Sequence, residues 1–184
     1  MLYSGRTVQI RRRRLPHWTT DRGTYFVTFR LEDALSEELA AQIARRKRRS
    51  ALTQRFLDRG HGRCWLRDHG IANLVDRAIR FFDGERYFLH AWTIMPNHVH
   101  AALRLCDRWS LNRVMQSWKG FSANRANKML GRLGVFWQEE SYDSLIHDQR
   151  DLDRVIAYIV ANPVKAQLDN WPWTTVRRTD FSFV

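Results

Sequence analysis

His98 and His100 stand one residue apart in Met95-Pro96-Asn97-His98-Val99-His100. On a strand, side chains at i and i+2 point to the same face, so this spacing sets two imidazoles side by side. Neutral imidazole is the commonest metal ligand among side chains, and such a pair is a natural half of a metal site. The motif is short, and two core or surface histidines meeting by chance produce the same pattern. Farther on, Tyr158 and Asn162 lie at i and i+4 in Tyr158-Ile159-Val160-Ala161-Asn162-Pro163, on one face of a helix. A phenol there can act as a nucleophile, and an amide oxygen one turn on can complete a metal's ligand set. Each also has an ordinary reading, Tyr158 as a packing residue and Asn162 as a helix C-cap. Tyr142 competes as nucleophile but lacks a metal-compatible residue one helical turn away. His90 reads as a structural histidine, and His147 and Asp148 as surface.

Particular elements must hold these residues. Tyr87 to Met95 is aromatic and β-branched and reads as a strand. Pro96-Asn97 is a turn dipeptide, and His98 to Leu105 reads as the second arm of a hairpin. Thr24 to Leu31 is another strand, and Tyr142 to Ile146 a short one. Asp68 to Phe82 carries Ile71, Leu74, Val75, Ala78, Ile79 and Phe82 at helical spacing. Leu111 to Leu130 is a second helix of this kind, and Asp151 to Ala161 is the last. Pro163 is expected to stop it, because the residue before proline disfavours helical angles. Ser36, followed by two glutamates, reads as the start of a helix running to about Leu57. The order predicts an α+β fold. Its ferredoxin-like βαββαβ antiparallel sheet has helices packed mainly on one face, plus a C-terminal helix carrying Tyr158. Residues 1–21 read as a basic arm, 22–168 as one catalytic domain, and 169–184 as an irregular tail.

Charge limits the partners. The 184 residues include 31 Lys and Arg against 19 Asp and Glu, a formal net charge of +12. With 44% hydrophobic residues the chain has the makings of a core, so the charge is a property of a folded surface. Nucleic acid is the expected polyanion. Arg11 to Arg14 and the run Arg45-Arg46-Lys47-Arg48-Arg49 are the densest basic stretches. Trp18, Trp109 and Trp118 are possible stacking surfaces for unpaired bases, although most of the eight tryptophans are better read as core. No apolar stretch approaches the roughly 20 residues of a membrane span, and the start of the chain has no apolar segment of a secretory signal. Cys64 and Cys106 form no CxxC pattern, so neither a disulfide framework nor a cysteine zinc site organises the fold. The expectation is a cytoplasmic, nucleoid-associated protein with no membrane partner.

The two chemical segments together resemble a known family. Met95-Pro96-Asn97-His98-Val99-His100 resembles the signature of single-tyrosine HUH transposases. Tyr158 through Asn162-Pro163-Val164-Lys165-Ala166 is similar to the matching segment of the REP-associated tyrosine transposases, relatives of the IS200-type single-strand transposases. The stretch from Lys119-Gly120-Phe121 through Phe136-Trp137-Gln138 to Asp148-Gln149-Arg150-Asp151-Leu152 is similar as well, so the resemblance covers about Arg22 to Trp173.

The resemblance implies a metal-dependent single-stranded DNA endonuclease and strand transferase, acting at palindromic hairpins of the repetitive extragenic kind. It implies Tyr158 as nucleophile and His98, His100 and Asn162 as ligands of Mg²⁺ or Mn²⁺, with a covalent 5′-phosphotyrosine that lets a later 3′-hydroxyl rejoin strands without ATP. The DNA-contact candidates are Arg12, Arg13, Lys119, Arg125, Lys128 and Lys165, with Arg132 near the same helical spacing. The implied partner is hairpin-bearing single-stranded DNA, with a monomer favoured over a homodimer. Two other readings stand beside this one: a non-catalytic DNA-hairpin-binding protein that retains the fold, and a phosphoesterase that uses water instead of tyrosine.

Overall fold

The computed structural model describes residues 9–12, 16–19, 22–36, 53, 56–57 and 59–177. The expected helix from Ser36 to about Leu57, with its basic run at 45–49, falls almost wholly outside the described residues. The strands are β1 (Gln9–Arg12), β2 (Pro16–Thr19), β3 (Thr24–Arg30), β4 (Tyr87–Ile94), β5 (His98–Leu105), β6 (Tyr142–Ile146) and β7 (Thr174–Val176). The helices are α1 (His69–Arg80), α2 (Leu111–Met129) and α3 (Gln149–Lys165), with short 3₁₀ turns at Glu32–Ala34 and Trp65–Arg67. Five strands form one antiparallel sheet in the order β6-β3-β5-β4-β7. Without β7, this is the expected βαββαβ unit, an α+β fold.

Alternation along β3 and β5 gives the sheet two different faces. Tyr25, Val27, Phe29 and Leu31 join Val99, Ala101, Leu103 and Leu105 in the main core, beneath α1 and α2. Each large apolar side chain so buried contributes about 1.5–3 kcal/mol. The indoles are tied in as well. Trp118 Nε1 donates to the Tyr87 hydroxyl at 2.8 Å, and that hydroxyl donates to the Ile79 carbonyl at 2.6 Å. Trp118 is thus a core residue joining α2, β4 and α1, and not a stacking surface. The opposite face carries Phe26, Ala91, Ala102 and Ile146 against Leu152, Val155, Ile156 and Ile159 of α3. A register shift between Leu89 and Ala91 in β4 turns Ala91 to this second face.

Three expectations are corrected. Residues 9–12 and 16–19, read as arm, pair as the two-stranded sheet β1-β2. The stretch read as an irregular tail supplies β7, which pairs with β4. Its Thr174-Thr175-Val176 is too short to signal a strand, and its partner lies about eighty residues away in the chain. Pro163 does not stop α3, which continues to Lys165. A proline in the last turn removes only one intrahelical donor, and Ala166 and Leu168 close the end by donating to the Asn162 and Pro163 carbonyls. Asp148 is exposed, as expected of a surface residue, and it also caps α3 by accepting from the Asp151 amide at 2.7 Å.

Candidate functional site

The turn between β4 and β5 is fastened from below. Gly62 adopts φ +85° where a Cβ would lie 2.5 Å from the Asp33 carbonyl oxygen, so only glycine lets this loop close on the 3₁₀ turn that follows β3. The neighbouring His61 carbonyl accepts from Asn97 Nδ2 at 2.8 Å. Leu66 donates to the Pro96 carbonyl and Leu31 to that of Asn97. The turn is therefore rigid, and β5 leaves it with a fixed register.

β5 is the middle strand, covered on both faces, and period two places His98 and His100 on the α3 side. Both are fully buried. Their Nε2 atoms face each other at 3.0 Å. The other ring nitrogens are held from behind: His98 Nδ1 lies 2.7 Å from Asn97 Oδ1, and His100 Nδ1 lies 2.8 Å from Thr28 Oγ1. Burial pulls the pKa of His98 down to about 3. Burial and the neighbouring His98 hold His100 well below its ordinary value. Both rings are therefore neutral at physiological pH, the state in which imidazole ligates a metal.

Asn162 is also fully buried. Its Nδ2 donates to the Tyr158 carbonyl at 2.9 Å, while its Oδ1 is a buried acceptor with no hydrogen-bond partner. Orphaned buried carbonyl oxygens are uncommon and ask for a partner. A divalent cation suits these donors. Two nitrogens at right angles around an octahedral ion, each about 2.1 Å from it, lie about 3.0 Å apart. Among the described residues no cluster of three or more His, Cys, Asp or Glu offers an alternative metal site.

Tyr158 is half-buried over the same face. Its ring centroid is 5.5 Å from that of His100 and 5.7 Å from that of Phe26, both edge-on. Phe26 itself stacks on His100 at 5.5 Å. Lys165, two turns along α3, places Nζ 5.2 Å from the Tyr158 ring centroid. Tyr142 shares this face, 6.4 Å from Phe26 and directly across from Thr28. The helical-spacing argument against Tyr142 does not apply to a strand residue, whose neighbours lie across the sheet.

Sequence reasoning did not single out Thr28 and Arg30, and it read Asn97 only as a turn residue. Arg30 lies directly across from His98 and on its face. Its half-buried guanidinium has an Nε with no hydrogen-bond partner. Burial lowers its pKa, against the opposing pull of Glu32 and Glu140. The signal available in sequence was alternation: Thr24, Thr28 and Arg30 fall between the apolar Tyr25, Val27, Phe29 and Leu31. The register that aims them at the histidines was not available.

The DNA-contact candidates scatter. Lys165 lies at the site. Arg125 and Lys128 are exposed on α2, across the sheet from the histidines, and the Arg125 guanidinium lies 5.9 Å from the Phe121 ring centroid. Lys119 is turned inward: its ammonium donates to the carbonyls of Gln138 at 2.6 Å and Glu139 at 2.7 Å, and burial pulls its pKa down to about 8. Arg132 donates to the Val135 carbonyl. Arg12 lies in β1, and Arg13 lies outside the described residues.

The fold and site define a class, an α+β protein whose central hairpin presents a buried histidine pair to a tyrosine-bearing helix. Residues 63–162 match the family model of IS200-like transposases, and the chain belongs to that family. A solved structure described as a REP-associated tyrosine transposase bound to a REP hairpin is 20% identical. The match covers 84% of this chain and 77% of that one, with a TM-score of 0.55; at that identity it shows the shared fold. A protein of Deinococcus radiodurans R1 assigned as a transposase is 16% identical over 76% of this chain and 89% of its own, with a TM-score of 0.39. No curated protein matches the chain. No helix among the described residues is long and apolar enough to cross a membrane.

Proposed function

We propose that this transposase is a metal-dependent endonuclease and strand transferase for single-stranded DNA at palindromic hairpins, working through a 5′-phosphotyrosine at Tyr158. One observation carries the reading: the Tyr158 ring lies 5.5 Å from His100, whose Nε2 meets that of His98 at 3.0 Å. Tyrosine and histidines belong to the same chain, so a monomer suffices. The hairpin in the structural neighbour and the net charge of +12 support hairpin DNA as substrate.

His98, His100 and Asn162 would hold Mg²⁺ or Mn²⁺, and the bound ion supplies charge stabilisation for the phosphoryl oxygens in the transition state. The chain's own residues do the rest. Lys165 holds its ammonium against the Tyr158 ring, where it can meet the charge of a phosphate brought to the tyrosine. The tyrosine oxygen attacks phosphorus, a new P–O bond forms, and the bond to the 3′-oxygen breaks. The phenol's proton leaves to solvent, and the departing 3′-oxygen takes one up. The phosphodiester is exchanged for a phosphotyrosine ester of similar energy, so a 3′-hydroxyl can reverse the step. The guanidinium of Arg30 offers a planar fork matched to phosphate oxygens. Phe26 and Ile159 pack beside Tyr158 and hold its ring on the α3 face of the sheet.

The test is covalent trapping. A single-stranded hairpin oligonucleotide with Mg²⁺ or Mn²⁺ should give an adduct that survives denaturation and maps to the peptide bearing Tyr158. Tyr158→Phe should lose the adduct and keep hairpin binding. Cleavage that persists in Tyr158→Phe would point to water as nucleophile, and an adduct on Tyr142 would move the chemistry to β6. Binding without cleavage by the unaltered protein, across many hairpins, would make it a binding module.

A further inference from the structure

One placement of hydrogens on the neutral rings satisfies every hydrogen bond that joins Asn97, His98, His100 and Thr28. Asn97 Nδ2 donates to a backbone carbonyl, that of His61, so its Oδ1 faces His98 Nδ1 at 2.7 Å. An amide oxygen only accepts, and the hydrogen of His98 therefore sits on Nδ1. A neutral imidazole carries one hydrogen, which leaves the His98 Nε2 lone pair bare. His100 Nε2, 3.0 Å away, must donate to it. His100 Nδ1 is then bare, and the Thr28 hydroxyl at 2.8 Å donates to that nitrogen. In this arrangement His98 is ready to bind an ion and His100 is not, because its Nε2 lone pair is replaced by an N–H.

We propose that Asn97 and Thr28 are positioning residues of the ion site: Asn97 locks His98 with Nε2 bare, and Thr28 turns from donor to acceptor so that His100 can present Nε2 as well. The proposal rests on the reading of the pair as ion ligands. When the ion binds, the His100 hydrogen passes from Nε2 to Nδ1 and the Thr28 hydroxyl rotates to accept it, with no net proton gained or lost. A hydroxyl serves both states, whereas a methyl group serves neither. Outer partners of this kind shift metal affinity about 10- to 100-fold when removed.

Imidazole ¹⁵N NMR of the metal-free protein tests the lock. The expected spectrum shows the hydrogen of His98 on Nδ1 and that of His100 on Nε2, and a His98 hydrogen on Nε2 overturns the assignment. Saturating Mg²⁺ should move the His100 hydrogen to Nδ1. Titration with Mn²⁺ alone tests Thr28. Thr28→Val, nearly isosteric, should weaken Mn²⁺ binding about 10- to 100-fold, and Thr28→Ser should recover most of it. The metal-free spectra of both variants verify that they fold. Wild-type Mn²⁺ affinity in Thr28→Val would overturn the role of Thr28 while leaving the ion site standing. An unaltered protein that binds neither Mn²⁺ nor Mg²⁺ would overturn the ion site and the switch with it.

Discussion

Among the described residues three imidazoles, those of His90, His98 and His100, are sealed inside the protein, and their protons report the fold. Burial, with Arg104 adding to it, lowers the pKa of His90 to about 4. Burial lowers that of His98 to about 3, and His100 is held well below its ordinary value. In the unfolded chain all three titrate near 6.5. As pH falls through that value, the unfolded state binds protons that the folded state refuses, so stability falls. The loss continues until the folded values are reached, near 4 for His90 and near 3 for His98. Each histidine adds a slope of up to about 1.4 kcal/mol per pH unit. Urea unfolding of the metal-free protein between neutral pH and about pH 5 should show this slope, and His98→Gln should remove about one proton from it. An unchanged slope would mean that His98 is accessible to protons in the folded state.

At the scale of elements, α2 and α3 divide the work by lying on opposite faces of the sheet. Helical spacing alone gave Lys119, Arg125 and Lys128 of α2 the look of one DNA track, because periodicity reports neighbours on a helix and not what the helix packs against. Lys119 instead secures the segment before β6 through the Gln138 and Glu139 carbonyls. Lys119→Met should destabilise the protein by about 1–3 kcal/mol, read from the denaturation midpoint, and leave the salt dependence of hairpin binding unchanged. A reduced salt slope with unaltered stability would return Lys119 to the DNA surface. The helices themselves were legible in sequence. α1 was evident from Ile71, Val75 and Ile79, whose period matches the core face they occupy. The overrun of α3 past Pro163 was not, since the prohibition on proline weakens in a final turn whose carbonyls find other donors.

For the molecule as a whole, the last described segment belongs to the sheet. Ile94, one residue before the turn that leads to His98, donates to the Trp173 carbonyl at 2.9 Å and accepts from Trp171 Nε1 at 2.7 Å. The Thr93 and Thr174 hydroxyls meet at 2.7 Å. A chain ending at Leu168 would lose these three bonds together with the β4–β7 pairing, the Arg177 amide's bond to the His90 carbonyl and the packing of Trp173 on the main core, and would expose the edge of β4. Its unfolding free energy should fall by at least about 3 kcal/mol, with a greater tendency to aggregate through the bared strand; light scattering and the urea midpoint measure both. An unchanged midpoint would mean that β7 is an accessory. The +12 charge likewise belongs to the whole, since it selects a class of partner without saying where that partner lies.

Alternation, helical periodicity and the spacing of His98, His100, Tyr158 and Asn162 follow from local geometry, so the sequence by itself determined the α+β class, most of the elements and the side chains worth watching. Local geometry holds no information about register or about which sheet face a distant helix covers. Only the tertiary structure set Thr28 across from His100 and Arg30 across from His98, brought Tyr158 and Tyr142 to the same Phe26, and turned Lys119 inward. Those relations arise from strand pairing and core packing between residues far apart in the chain, where the apolar faces could be buried in this arrangement and the hydrogen bonds of the sheet completed at the same time.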